Sequence, residues 1–298
     1  MSAVIAFEGL TKRFGSVTAL DQLTAEVAPG RITAFLGANG SGKTTSMRLL
    51  LGLDAATAGT ATVGGRAYAT LERPTRVVGA IVDQGLHPSR TARNHVRIVA
   101  AQAGTPRARG EAMLELVGLA EAADRRVGGY SLGMRQRLAL ACALVGDPEI
   151  LVLDEPFNGL DPDGIATMRQ FLRGFANEGR TVFLSSHLLA EVAHSADDAV
   201  IIDHGRLVTA GPVHSLVPDA PSLLIRTPDA DLLAVALRHR GATVEAQAPD
   251  ELLVTGVDRE VVGRAALDVG AVVLEMRGTG DDLESVFARL TAREPSGT

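Results

Sequence analysis

Gly37-Ala38-Asn39-Gly40-Ser41-Gly42-Lys43-Thr44 fits the pattern G-x-x-x-x-G-K-[ST] at every fixed position. Glycines let the backbone curl so that successive N–H groups point inward at an anion. Lys43 is placed to reach the β- and γ-phosphates of a nucleoside triphosphate, and Thr44 to offer its hydroxyl to Mg²⁺. The apolar, β-branched run 31–36 precedes the loop, and the helical run 45–51, opening with Thr45, follows it. A helix starting near Lys43 aims its partial positive end at the same phosphates. Lys43 and Lys12 are the only lysines; every other basic residue is Arg. Composition alone therefore rarely puts a lysine at this position.

Two further short apolar runs, 149–153 and 181–184, share the character of 31–36 and suit strands buried on both faces of a parallel sheet. The three runs end in polar or glycine residues at Asp154, Ser185 and Gly37. Ligands in open α/β sheets gather outside the carboxyl ends of such strands, so the three ends are expected to wall one site. An Asp at a strand tip can hold Mg²⁺ directly or through water, the Walker-B role, which falls to Asp154. Glu155, the next carboxylate, would face the γ-phosphate side, where an attacking water needs orienting and deprotonating. The third run leads into Ser185-Ser186-His187, and His187 could sense or stabilise the γ-phosphate.

The chain of 298 residues suggests two domains at roughly 150 residues each. Hydrophobic residues at 46% and charged residues at 21% exclude wholesale disorder. The single cysteine, Cys142, cannot form an internal disulfide and points to a reducing compartment. A formal net charge of −6 argues against a nucleic-acid partner. No stretch reaches the ~18 uncharged apolar residues of a membrane helix, and the first residues lack a signal peptide's basic start and apolar core. The chain is expected to stay in the cytosol and to meet a membrane only through a partner.

Residues 91–144 read as helix-rich. Met113, Leu114, Leu116, Val117 and Leu119 suit one buried helical face, and Leu138, Leu140, Ala141 and Leu144 another. This predicts an all-α subdomain, about 88–144, inserted into the α/β domain. After Gly211-Pro212 the character changes. Strands at 222–226, 243–246, 251–255 and 272–276, with helices at 229–240 and 258–268, give the order βαββαβ of a ferredoxin-like unit. A closing helix carries Leu283, Val286, Phe287 and Leu290 in one stripe, and a disordered tail starts at Glu294. The expected domains are 1–216, an α/β P-loop NTPase domain, and 217–298, a small α+β accessory domain.

Tyr130-Ser131-Leu132-Gly133-Met134-Arg135-Gln136-Arg137 opens a helix with Ser131 as its N-cap. With this segment between the phosphate loop and the acidic strand end, residues 4–215 resemble the ATP-binding cassette (ABC) ATPases. The resemblance implies an ATPase acting as a head-to-tail homodimer, each ATP lying between the phosphate loop of one copy and the signature helix of the other. Ser131 and Gly133 would touch the γ-phosphate across that interface. It also implies that Phe14 stacks on adenine and that Asp161, in Asn158-Gly159-Leu160-Asp161, couples the two sites. The family's glutamine position, which would reach Mg²⁺, falls on Asp83 or Gln84, with Gln84 preferred. The signature departs from the common Ser-Gly-Gly-Gln at Leu132 and Met134.

Ser-Leu-Gly-Met and the small C-terminal α/β segment are similar to the bacitracin- and daunorubicin-exporter branch. That branch pairs with a separately encoded membrane permease, which implies a peripheral protein on the cytoplasmic face of the membrane, using ATP and Mg²⁺ to power drug efflux. The competing expectation is a soluble ABC-type ATPase acting as a regulatory, nucleic-acid or ribosome-associated factor. One phosphate loop, no heptad run and no Cys pairs disfavour it, and Glu155 and His187 disfavour a pure binding switch.

Overall fold

A computed structural model describes residues 4–82, 85–186, 195–216 and 223–278. The chain divides into two compact units, 1–212 and 213–298.

The first unit is built on a six-stranded sheet. Its strands are β3 (Ile32–Leu36), β5 (Val78–Ile81), β6 (Ile150–Leu153), β7 (Thr181–Ser186), β8 (Asp198–Asp203) and β9 (Arg206–Pro212). They lie in the order β5-β6-β7-β3-β8-β9; all neighbours are parallel except β8 and β9. Every residue of β3, β6 and β7 is buried, which is why those segments read as unbroken apolar runs and not as alternating ones. A second, antiparallel sheet orders β2 (Val17–Val27), β1 (Ile5–Phe14) and β4 (Ala58–Val63).

Phe7, Phe35 and Phe183 meet in the core with ring centroids 5.2 to 6.3 Å apart, joined by Met47 and Leu50 of α1 (Lys43–Leu50). Fully burying one such ring contributes about 1.5–3 kcal/mol, so this cluster anchors the strand that leads into the phosphate loop.

The insertion carries three helices, α2 (Ala92–Gln102), α3 (Arg107–Leu116) and α4 (Leu132–Leu144). Ser131 caps α4, its Oγ accepting the Met134 N–H at 3.2 Å. Met113, Leu114, Val117 and Leu119 are buried as expected, but Leu116 is 55% exposed. It lines a cleft facing Phe171 of α5 (Pro162–Asn177) instead of packing inward.

In the second unit, β10 (Leu223–Arg226), β11 (Thr243–Ala248), β12 (Glu251–Thr255) and β13 (Glu275–Gly278) form an antiparallel sheet in the order β11-β12-β10-β13. Two helices, α6 (Ala230–Arg238) and α7 (Arg259–Val269), bury Leu233, Leu237, Val262 and Ala265 with Leu223, Ile225 and Val254 of the sheet. The last strand starts later than 272, because the Val272 N–H is taken by Asp229 Oδ2 at 2.9 Å before the ladder begins. The closing stripe 283–290 lies outside the described residues. Among the described residues, no helix is long and apolar enough to cross a membrane.

Candidate active site

The sheet order sets the carboxyl ends of β6, β7 and β3 side by side, and the site grows from these tips. Beyond Leu36 the chain curls through Gly37, Ala38, Asn39, Gly40, Ser41 and Gly42 before α1 starts at Lys43. Gly42 turns the corner at φ 108°, where a Cβ would lie 2.6 Å from Leu20 Cδ2 and 2.8 Å from the Ala19 carbonyl oxygen. Only glycine fits there. The N–H groups of Lys43, Thr44 and Thr45 open α1 without intrahelical acceptors, a ready seat for an anion. Gly205, in the β8–β9 turn, braces the loop from behind by donating its N–H to the Ser41 carbonyl at 2.9 Å.

Lys43 is buried, and its Nζ donates to the carbonyls of Gly37 at 2.6 Å and Ala38 at 3.2 Å. It stands 3.9 Å from Glu155 Oε1. Burial holds the Lys43 ammonium below its ordinary pKa, while the Glu155 and Asp154 carboxylates pull the other way. Thr44 Oγ1 donates to Asp154 Oδ2 at 2.7 Å, tying the first turn of α1 to the tip of β6. Ser185 Oγ donates to Asp154 Oδ1 at 2.5 Å and accepts the Glu155 N–H at 2.9 Å. Glu155 itself sits at φ 48°, a left-handed conformation uncommon outside glycine. A cavity of about 190 Å³ is lined by Ala19, Asn39, Gly40, Gly42, Lys43, Thr44, Thr45 and Glu155.

Phe14, at the end of β1, is 50% exposed and so is not a core residue. Lys12 Nζ lies 4.7 Å from its ring centroid while donating to the Ala55 carbonyl at 2.7 Å. Ser131, Gly133 and Asp161 are not brought to the phosphate loop. With Leu132, Gly159 and Leu160 they line a separate, larger groove of about 620 Å³, where Asp161 caps α5 by accepting the Gly164 N–H at 2.9 Å. Asp83, Gln84 and His187 lie outside the described residues.

The sequence reading takes Ser185 only as the polar end of a strand. The available signal was a serine pair closing an otherwise apolar buried run. Cys142 takes no part, since burial pushes its thiol pKa up to about 12. The donor set suits a hard cation: the Thr44 hydroxyl and the Asp154 carboxylate place two oxygens together beside a phosphate seat. That matches Mg²⁺, which commonly takes one or two protein oxygens, with water and substrate phosphate completing its shell.

Residues 20–158 match the family model described as ABC transporter. The bacitracin transport ATP-binding protein BcrA of Bacillus licheniformis is 41% identical over 220 residues, covering 72% of this chain and 72% of that protein. The chain belongs to the ATP-binding subunits of ABC transporters. The Nod factor export ATP-binding protein I of Paraburkholderia xenovorans (strain LB400) is 33% identical over 309 residues, covering 98% of each chain. A bacterial ABC transporter cassette solved as a dimer shares the fold, with a TM-score of 0.65 at 23% identity over 70% of this chain and 98% of that one. Residues 221–284 match a model described only as a domain of unknown function. As an ABC ATPase, the protein binds ATP and couples its hydrolysis to transport.

Proposed function

We infer that this subunit drives export of an antibiotic-like small molecule through a separately encoded membrane permease, from the cytoplasmic face of the membrane. The observation that carries the catalytic part is the bonded set Thr44–Asp154–Ser185–Glu155 standing against Lys43. The 41% identity to a bacitracin transport protein supports the cargo class.

In this reading the amides of the loop and Lys43 bind the β- and γ-phosphates, and the half-exposed Phe14 ring stacks on adenine. Thr44, Asp154 and Gln84 would hold Mg²⁺, which when bound would supply positive charge to offset that of the phosphates. Glu155 orients the attacking water and accepts its proton as oxygen bonds to the γ-phosphorus and the bond to ADP breaks. His187 steadies the γ-phosphate side. Ser131, Gly133 and Asp161 serve the ATP of a second copy; their lining a groove separate from the phosphate-loop cavity supports a head-to-tail homodimer. The ATPase domain corresponds to the first unit, 1–212, four residues shorter than the bound expected from sequence. The second unit, 213–298, carries a ferredoxin-like accessory domain, a reading supported by the strand order β11-β12-β10-β13.

The test of the sandwich is Glu155→Gln with Mg²⁺ and ATP on size-exclusion chromatography. The variant should elute as a stable dimer while the wild-type chain does not. A variant that binds ATP yet stays monomeric would count against the shared site.

A further inference from the structure

Ser185 puts a buried hydroxyl directly after the hydrocarbon run 182–184 of β7. The strand reads Thr-Val-Phe-Leu-Ser-Ser, and Ser185 is 0% exposed. A hydroxyl taken out of water costs free energy unless it is hydrogen-bonded, so its partners show what it is for. Both partners belong to the tip of β6, and both are on the two acids of the site.

The backbone ladder explains why a side chain is needed there. β6 and β7 run in parallel register up to Leu153 opposite Leu184, and no pair follows. β7 continues along β3, with Ser185 opposite Phe35 and Ser186 opposite Leu36. β6 ends there: the Asp154 N–H makes the last rung to the Ile81 carbonyl of β5 at 2.7 Å, and the next residue, Glu155, leaves the strand at φ 48°. Where the ladder stops, the Ser185 hydroxyl takes over. It accepts the Glu155 N–H and gives its own proton to Asp154 Oδ1, whose other oxygen, Oδ2, receives the Thr44 hydroxyl. One side chain thus fixes the Asp154 carboxylate and pins the backbone of Glu155 in a conformation that non-glycine residues disfavour.

We propose that Ser185 is a positioning residue for ATP hydrolysis, setting the direction in which Glu155 presents its carboxylate to the attacking water. The inference rests on the reading of Glu155 as the general base. The hydrogen bonds of the Ser185 hydroxyl go to Asp154 and Glu155. Its effect passes through Asp154 and Glu155, and a displacement of about 1 Å at a reacting group can cost on the order of 100-fold in rate. Nucleotide affinity rests on other groups, the loop amides, Lys43 and Phe14, so rate and affinity separate.

The experiment compares Ser185→Ala, Ser185→Cys and Ser185→Thr in the full chain. Ala deletes the hydroxyl, Cys keeps nearly the same volume with a weak donor and acceptor, and Thr keeps the hydroxyl. Phosphate release gives kcat, fluorescent-nucleotide titration gives Kd, and thermal melting gives Tm. Ala and Cys should lower kcat by about 10-fold or more with Kd within about twofold of wild type, and Thr should recover most of kcat. The proposal is overturned if Ala and Cys keep kcat within about twofold of wild type. It is overturned equally if all three variants lose kcat, affinity and Tm together, since that marks general damage to the strand. Should Ala fail to fold, the contrast between Cys and Thr decides alone. A wild-type chain that binds ATP without hydrolysing it would instead bring down the reading of Glu155.

Discussion

Lys43 is held ready by the loop it serves. Its ammonium is seated on the Gly37 and Ala38 carbonyls and faces Glu155, in a position buried enough to hold its pKa below the ordinary value. Each charge-assisted hydrogen bond it gives to phosphate contributes about 1.5–3 kcal/mol, so Lys43→Ala should weaken ATP binding by roughly 100-fold or more. Isothermal titration checks this, and a wild-type affinity in the variant would remove Lys43 from the phosphate site. Lys43, Thr44, Asp154 and Glu155 were legible in the sequence because neighbouring residues within short motifs fix their geometry. Ser185 was not. Its partners lie 30 and 31 positions away, and only the parallel pairing of β6 with β7 brings them to it. The exposure of Phe14 was expected only through the family resemblance, since nothing local to β1 says whether its last side chain points to solvent or core.

The signature helix α4 and the loop entering α5 approach closely around Gly159. Gly159 sits at φ 75°, and a Cβ there would run into the Leu132 side chain. A Cβ on Gly133 would lie 3.2 Å from the Gly159 carbonyl oxygen. Leu132, one of the two residues that depart from the common signature pattern, therefore covers a glycine that must stay bare. Gly159→Ala should cost about 1–3 kcal/mol through overpacking and left-handed strain, and lower Tm by several degrees. Adding Leu132→Ala should restore part of the loss by removing the Cγ and Cδ2 clashes, while the 2.9 Å approach of the Leu132 Cβ and the backbone strain remain. Differential scanning calorimetry measures both; a Gly159→Ala chain with unchanged Tm would contradict the contact. At this scale β3, β6 and β7 were readable because parallel strands buried on both faces are apolar throughout. The Ser131 cap was readable from residue type alone. The start of β13 was not, because a loop hydrogen bond from Val272 to Asp229 sets it.

Each of the two units has a core of its own, Phe7, Phe35 and Phe183 in one and Leu223, Leu233, Leu237 and Val254 in the other. The break in character after Gly211-Pro212 was visible in the sequence. The compact units divide after Pro212, where β9 ends, and the short turn Val213–Leu216 groups with the second unit. A fragment ending at Pro212 should be soluble, folded and able to bind ATP with an affinity within about threefold of the full chain, as expected of a domain with its own core. Complete insolubility would mean that the first unit needs the second to fold. In the proposed reading, the working part of the first unit is a nucleotide held at three strand tips, with Glu155 as the group that activates water. The most direct measurement is phosphate release from saturating ATP and Mg²⁺ by the wild-type chain and by Glu155→Gln. The wild type should turn over steadily, while the variant binds ATP normally and releases phosphate at about one-hundredth of that rate or less. A Glu155→Gln chain hydrolysing ATP as fast as wild type would contradict the account.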